Sequence, residues 1–175
     1  MFRILKSKVV FRSHELSPPL IIGKGVISTI TEATCQVTIT DGKSVAQGYG
    51  TVLLSHVWCW PETDLGDKDL LLRQATSSIV NAVSDVDTAN TILGHGFDVI
   101  ALADQVLSHL PPLARRVCSS PVDNAIHDAA GYLNQSSSFE LFSNHGPSPF
   151  DAYFPGFGAS LAIESMLRAP VSKIE

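Results

Sequence analysis

Asp123 and His127 stand four residues apart in a stretch with helical spacing. That spacing projects a carboxylate and an imidazole from one helix face, where they could share a proton or a metal ion. A metal needs a third ligand, and none is near in the sequence. An acid in the first turn of a helix is stabilised by the helix dipole, and that structural role is the one expected for Asp123. His95 lies between Gly94 and Gly96, a turn-like setting from which an imidazole could move a proton, although such a triplet is more simply a flexible loop. The glycine pairs Gly23-x-Gly25 and Gly156-x-Gly158 fall short of a dinucleotide loop, because Ser28 and Leu161 occupy the third glycine position. Cys35, Cys59 and Cys118 make no Cys-x-x-Cys pair, so no structural zinc site is expected. No serine sits in a nucleophile-elbow pattern. Two connections remain. Leu16 to Gly25 carries Pro18, Pro19, Leu20, Ile21 and Ile22, and Leu54 to Asp67 carries His56, Val57, Trp58, Cys59 and Trp60. Connections run over the surface, so two tryptophans and a histidine there suit a ligand or partner face. The competing reading has the tryptophans fold back and plug the local core. Pro19, Leu20, His56, Trp58 and Trp60 are the candidate set.

The elements that must position these residues change character along the chain. Ile4 to Arg12 is rich in Val, Ile and Phe and reads as a strand. After the break at Ser17-Pro18-Pro19, Val26 to Thr40 ends in clean alternation, with Cys35, Val37 and Ile39 on one side and Thr34, Gln36, Thr38 and Thr40 on the other. Asp41-Gly42 then signals a hairpin, with a return strand over about Gly48 to Leu54. From Asp67 the period becomes helical, through Leu71, Leu72, Ala75, Ile79 and Val83. A short helix is expected from Asp87 to Gly94. Another is expected over Asp98 to His109, with Ile100, Ala103, Val106, Leu107 and Leu110 as its stripe and Pro111-Pro112 as its end. Ser120-Pro121 opens a further helix lined by Val122, Ile126, Ala129 and Leu133. Strands first and helices afterwards define an α+β class, an antiparallel sheet of about three strands followed by a helical bundle. The Gly/Pro-rich stretch from Gly146 to Gly158 reads as a linker, and Ala159 to Arg168 as a last helix.

Composition excludes several function classes. The 175 residues carry a net charge of −5 and only 17% charged side chains, against about 25% in an average soluble domain. A pI near 5.6 and no basic cluster beyond Arg115-Arg116 argue against nucleic-acid binding. No apolar run approaches the roughly 18–20 residues of a membrane span, and the opening residues do not read as a secretory signal. Three widely spaced cysteines suit free thiols in a reducing cytoplasm.

The order of elements resembles the amino-terminal capping domain of the enolase superfamily, in the mandelate racemase and muconate lactonizing enzyme branch. The opening sheet with Asp41-Gly42 and Gly48-Tyr49-Gly50 carries the likeness, as does the helical block behind it. The most specific feature is Pro121-Val122-Asp123-Asn124-Ala125-Ile126-His127-Asp128-Ala129-Ala130-Gly131, which is similar to that family's helix pattern of Asp, Ala, Asp and Gly. Leu141-Phe142 follows where the family often has a leucine pair. The resemblance implies a capping domain over residues 1–143. Residues 144–175 would then be a linker, a helix and the possible start of a barrel at Val171 to Glu175. A (β/α)8 barrel takes more than about 200 residues, so the family's barrel is expected to lie outside this chain.

In the family the barrel binds Mg2+ through carboxylates and supplies the lysine or histidine that removes a proton from the carbon beside a carboxylate. No catalytic or metal residue is therefore assigned within this chain. The implied parent is a Mg2+-dependent enzyme, expected to be cytoplasmic and homo-oligomeric, that dehydrates, racemises or cycloisomerises a carboxylate such as an acid sugar. Its partner here would be the barrel. Pro19, Leu20, His56, Trp58 and Trp60 would form a lid over the barrel mouth. Two other readings stay open: a stand-alone α+β interaction or ligand-binding module using the same aromatic segment, and a small enzyme built on His95, His127 and Asp123.

Overall fold

The first third of the chain makes three strands whose sheet buries one face, with the cleanest alternation at the end of the second. The computed structural model describes residues 2–22, 25–60, 67–85 and 92–137, with Gly156 and Gly158 besides. Strands β1 (Arg3–Ile22), β2 (Gly25–Thr40) and β3 (Val45–Leu54) form one antiparallel sheet in the order β1-β2-β3. Ala33, Cys35, Val37 and Ile39 of β2 are fully buried beneath the helices, while Thr34, Gln36 and Thr38 lie on the opposite face.

The β2–β3 turn is longer than a two-residue hairpin, because Asp41 organises it. One carboxylate oxygen accepts the N–H groups of Lys43 and Ser44, each at 2.8 Å, while Gly42 takes a φ of +91°. The amides of Ser44 and Lys43 hold the Asp41 carboxyl below its ordinary pKa. The return strand accordingly starts at Val45.

Among the described residues four helices follow, α1 (His56–Cys59), α2 (Lys68–Ala82), α3 (Ile92–Val106) and α4 (Pro112–Asn134), with a 3-10 turn at Val83–Asp85 after α2. The helix from Asp67 forms as expected, burying Leu72, Ala75, Ile79 and Val80. Two expected boundaries are overturned. Gly94 does not stop a helix, since α3 runs through Gly94, His95 and Gly96; His95 is helical and not part of a Gly-His-Gly turn. Its buried residues include Val99 and Ala103, whereas Ile100 is turned outward. Ser120-Pro121 does not open a helix either, because α4 begins at Pro112 and passes through Pro121. The ring lacks the N–H that would reach Val117, four residues back. The hydroxyls of Ser119 and Ser120, both bonded to the Arg116 carbonyl, lie in the same turn. Pro112 supplies the favoured first-turn proline.

The sheet and helices are held together most tightly where β3 meets α4. A Cβ at Gly48 would strike the backbone of Ala125 and Ala129, and one at Gly50 the backbone of Pro121 and Ala125. Gly48-x-Gly50 facing Ala125 and Ala129 lets a helix backbone lie directly on a strand. Asp128 then accepts the N–H of Tyr49 at 2.8 Å, capturing a donor on the open edge of β3. Between α3 and α4, Asp104 receives Arg115 at 3.0 Å and Arg116 at 2.7 Å. Both members of the one basic pair prominent in the sequence are thus held by a single carboxylate within the fold. The expected linker, last helix and barrel start lie outside the described residues, Gly156 and Gly158 apart.

Candidate functional site

The expected connection from Leu16 is not a loop as far as Ile22, and Gly25 already belongs to the next strand; Gly23 and Lys24 lie outside the described residues. β1 continues to Ile22, and Leu20, Ile21 and Ile22 pair with Ile27, Val26 and Gly25 of β2. The prolines fit because they fall where the ladder is interrupted: between the pairs Glu15–Thr29 and Leu20–Ile27, β1 carries three more residues than β2. Pro18 and Pro19 withhold no N–H that the sheet needs there. The result is a long β-ribbon extending beyond the body of the sheet.

The ribbon is rooted by a polar cluster. Arg73 of α2 donates through Nε to Asp69 at 2.7 Å and through Nη2 to Thr31 of β2 at 2.6 Å and Ser13 of β1 at 3.0 Å. Thr31 in turn donates to Asp69 at 2.6 Å. The Arg73 guanidinium also lies 6.0 Å from the Phe11 ring centre. Past this root the ribbon carries exposed apolar side chains at its end: Leu20, Val26 and above all Ile21, 72% exposed, face outward.

The second candidate segment meets that tip. α1 follows β3 directly, and Val57 packs so closely on Gly25 that a Cβ there would lie 2.8 Å from Val57 Cγ1. The two tryptophans part company. Trp60 belongs to the hydrophobic core at 8% exposure, with Lys68 Nζ 5.0 Å from its ring centre. Trp58 is 51% exposed. Pro19 and Leu20 are exposed and His56 is half-buried, its carbonyl receiving the N–H of Trp60 at 3.0 Å. Trp60 thus plugs the core, as the competing reading of the aromatic segment has it, and Trp58 stays on the surface. Val26 and the Gly25–Val57 contact were not legible. Val26 continues a strand pattern, and only its position next to a hairpin turn hints at exposure.

Acid–base groups lie elsewhere. Asp123 is in mid-helix and has no first-turn role, since α4 starts eleven residues earlier at Pro112. It faces α3, where a Cβ on Gly96 would lie 3.2 Å from Asp123 Oδ1 and 3.8 Å from His127 Cε1. His127 Nδ1 lies 3.5 Å from Asp123 Oδ1 and 2.9 Å from the Asp123 carbonyl. Oδ1 is buried without a hydrogen-bond partner among the described residues. Burial raises the Asp123 pKa, against the smaller opposing pull of His127. Two side chains do not make a magnesium site, and no set of three or more His, Cys, Asp or Glu that could hold a metal ion occurs among the described residues. Cys35, Cys59 and Cys118 are buried free thiols. Burial pushes their pKa values up to about 12, 11 and 11, which leaves no reactive thiolate.

The fold is thus an α+β unit with a three-stranded antiparallel sheet covered by helices on one face, the architecture of an enolase amino-terminal domain. A solved structure that the chain is similar to is an enolase from Bradyrhizobium complexed with magnesium and mandelic acid, with a TM-score of 0.51 and 17% identity. The alignment covers 81% of this chain and 35% of that one, so the chain spans about a third of the length of the enolase. No protein-family model matches the sequence, and no curated protein does.

Proposed function

We propose that this chain is the capping domain of a longer Mg2+-dependent enzyme of the enolase superfamily, in the mandelate racemase and muconate lactonizing enzyme branch. The reaction would remove the proton beside the carboxylate of an acid sugar or related acid, leading to dehydration, racemisation or cycloisomerisation. The carrying observation is that the ribbon tip and α1, distant in sequence, meet through Gly25 and Val57, with exposed apolar side chains on both segments. A surface of that kind is suited to closing over a site on another domain and excluding water from it. Pro19, Leu20, His56 and Trp58 would present the lid, and Trp60 would anchor it from the core.

Magnesium and the proton-transferring groups would be supplied by the proposed barrel partner. Three buried free thiols suit a reducing cytoplasm, and a homo-oligomer is part of the proposal. The test is made on the full-length enzyme read from the gene beyond the Glu175 codon. Trp58→Ala is expected to reorder its preference across a panel of 2-hydroxy carboxylates. Unchanged kinetics over the panel would sink the lid, and a gene without a downstream barrel would favour the stand-alone binding module.

A further inference from the structure

The sheet face turned away from the helices carries a second surface, independent of the lid. The strand register sets its side chains in rows: Lys8, Gln36 and Tyr49 form one, and Val10, Thr34 and Thr51 the next. Arg12 stands beyond them, opposite Glu32. Lys8, Val10, Arg12, Thr34, Gln36 and Tyr49 enclose an open groove of about 260 Å³. Its polar floor is already occupied with itself. Gln36 donates to Gln47 at 2.9 Å, and Thr34 bonds Thr51 and Glu32 at 3.1 Å each. Glu32 also faces His14, at 3.3 Å. Lys8 and Arg12 are left with no carboxylate partner among the described residues, in a chain whose net charge is −5.

Tyr49 completes the arrangement. It is 56% exposed, yet its backbone is fixed on both sides. Gly48 and Gly50 lock β3 against α4, and Asp128 holds the Tyr49 N–H. An aromatic ring presented on so firmly held a strand loses little freedom when it binds. Val10, likewise exposed, adds an apolar side chain to the lining between its two cations.

We propose that this groove binds a small organic anion with a flat apolar body, its charge met by Lys8 and Arg12 and its body by Tyr49 and Val10. The face is cationic along β1, with Lys6 two residues before Lys8 and opposite Thr38, so a second copy applying the same face would meet like charge.

Phenyl phosphate is the probe, titrated into the 15N-labelled full chain at low salt, with inorganic phosphate alongside. Saturable shifts are expected at Lys8, Val10, Gln36 and Tyr49, with a Kd on the order of 1 mM. Lys8→Gln with Arg12→Gln should weaken binding by about tenfold or more, and Tyr49→Ala by about fivefold. All three side chains are exposed, and unchanged dispersion of the remaining resonances verifies the fold of each variant. Non-saturating shifts, undiminished binding in the charge variant, or shifts centred on Trp58 and the ribbon tip would each overturn the site. Inorganic phosphate binding as tightly as phenyl phosphate would overturn the apolar half of it.

Discussion

Ionising Asp123 sets burial against one neighbour. Its side chain remains 36% exposed, but Oδ1 is turned into the α3–α4 contact and lacks a hydrogen bond among the described residues. Burial raises the pKa, and the attraction of His127 only partly restores it. The carboxyl therefore holds its proton to higher pH in the folded chain than in the unfolded one. Stability linked to this group is present in full below the unfolded carboxylate range, near about pH 4, and is lost as pH rises through the raised folded value. Asp123→Asn is accordingly expected to melt above the wild type at about pH 7, with the two curves converging toward about pH 4. A gap that stays constant with pH would mean that Asp123 ionises as readily folded as unfolded. The spacing of Asp123 and His127 on one helix face was legible in the sequence. The orphaned oxygen was not, because it depends on Gly96 of another helix.

Elements were most legible where one periodicity ran uninterrupted. The alternation from Thr34 to Thr40 and the stripe from Leu72 to Val83 gave β2 and α2 with their buried faces. Readings failed where a residue with a strong local bias is overruled by its surroundings. Pro121 favours a helix start by itself, yet it sits inside α4, whose carbonyl at that position packs against Gly50. Gly94 favours a stop but lies within α3. Pro18 and Pro19 read as a loop, although the strand resumes beyond them at Leu20. The β3–α4 contact is the strongest element-level prediction. Gly50→Ala places a methyl on the backbone of Pro121 and Ala125, where no flexible side chain can move aside. A loss of about 1–3 kcal/mol or more is expected, read as a lower urea midpoint with an unchanged slope. Gly42→Ala would be a poor control because of its positive φ. Ser44→Ala, exposed in the same turn region, should stay within about 0.5 kcal/mol of wild type.

At the scale of the whole molecule, one aromatic segment divides between stability and surface, and two substitutions separate those tasks. Trp60 fills the core beneath α1, so Trp60→Ala should cost about 3–5 kcal/mol and threaten folding. Trp58 lies outside that core, and Trp58→Ala should change the urea midpoint of this chain by no more than about 0.5 kcal/mol. Surface that contributes little to folding yet gathers Leu20, Ile21, Val26 and Trp58 at one end should be visible to an apolar dye. The 175-residue chain is therefore expected to bind such a dye while showing a single cooperative unfolding transition, which distinguishes an exposed native patch from a molten state. Ile21→Ser with Trp58→Ser should remove most of that dye signal without lowering the midpoint. If the signal survives both changes, the exposed surface lies elsewhere on the molecule. If the midpoint falls with it, the ribbon tip is part of the core and cannot serve as a free lid. Only loss of dye at constant stability fits a surface whose partner is another domain.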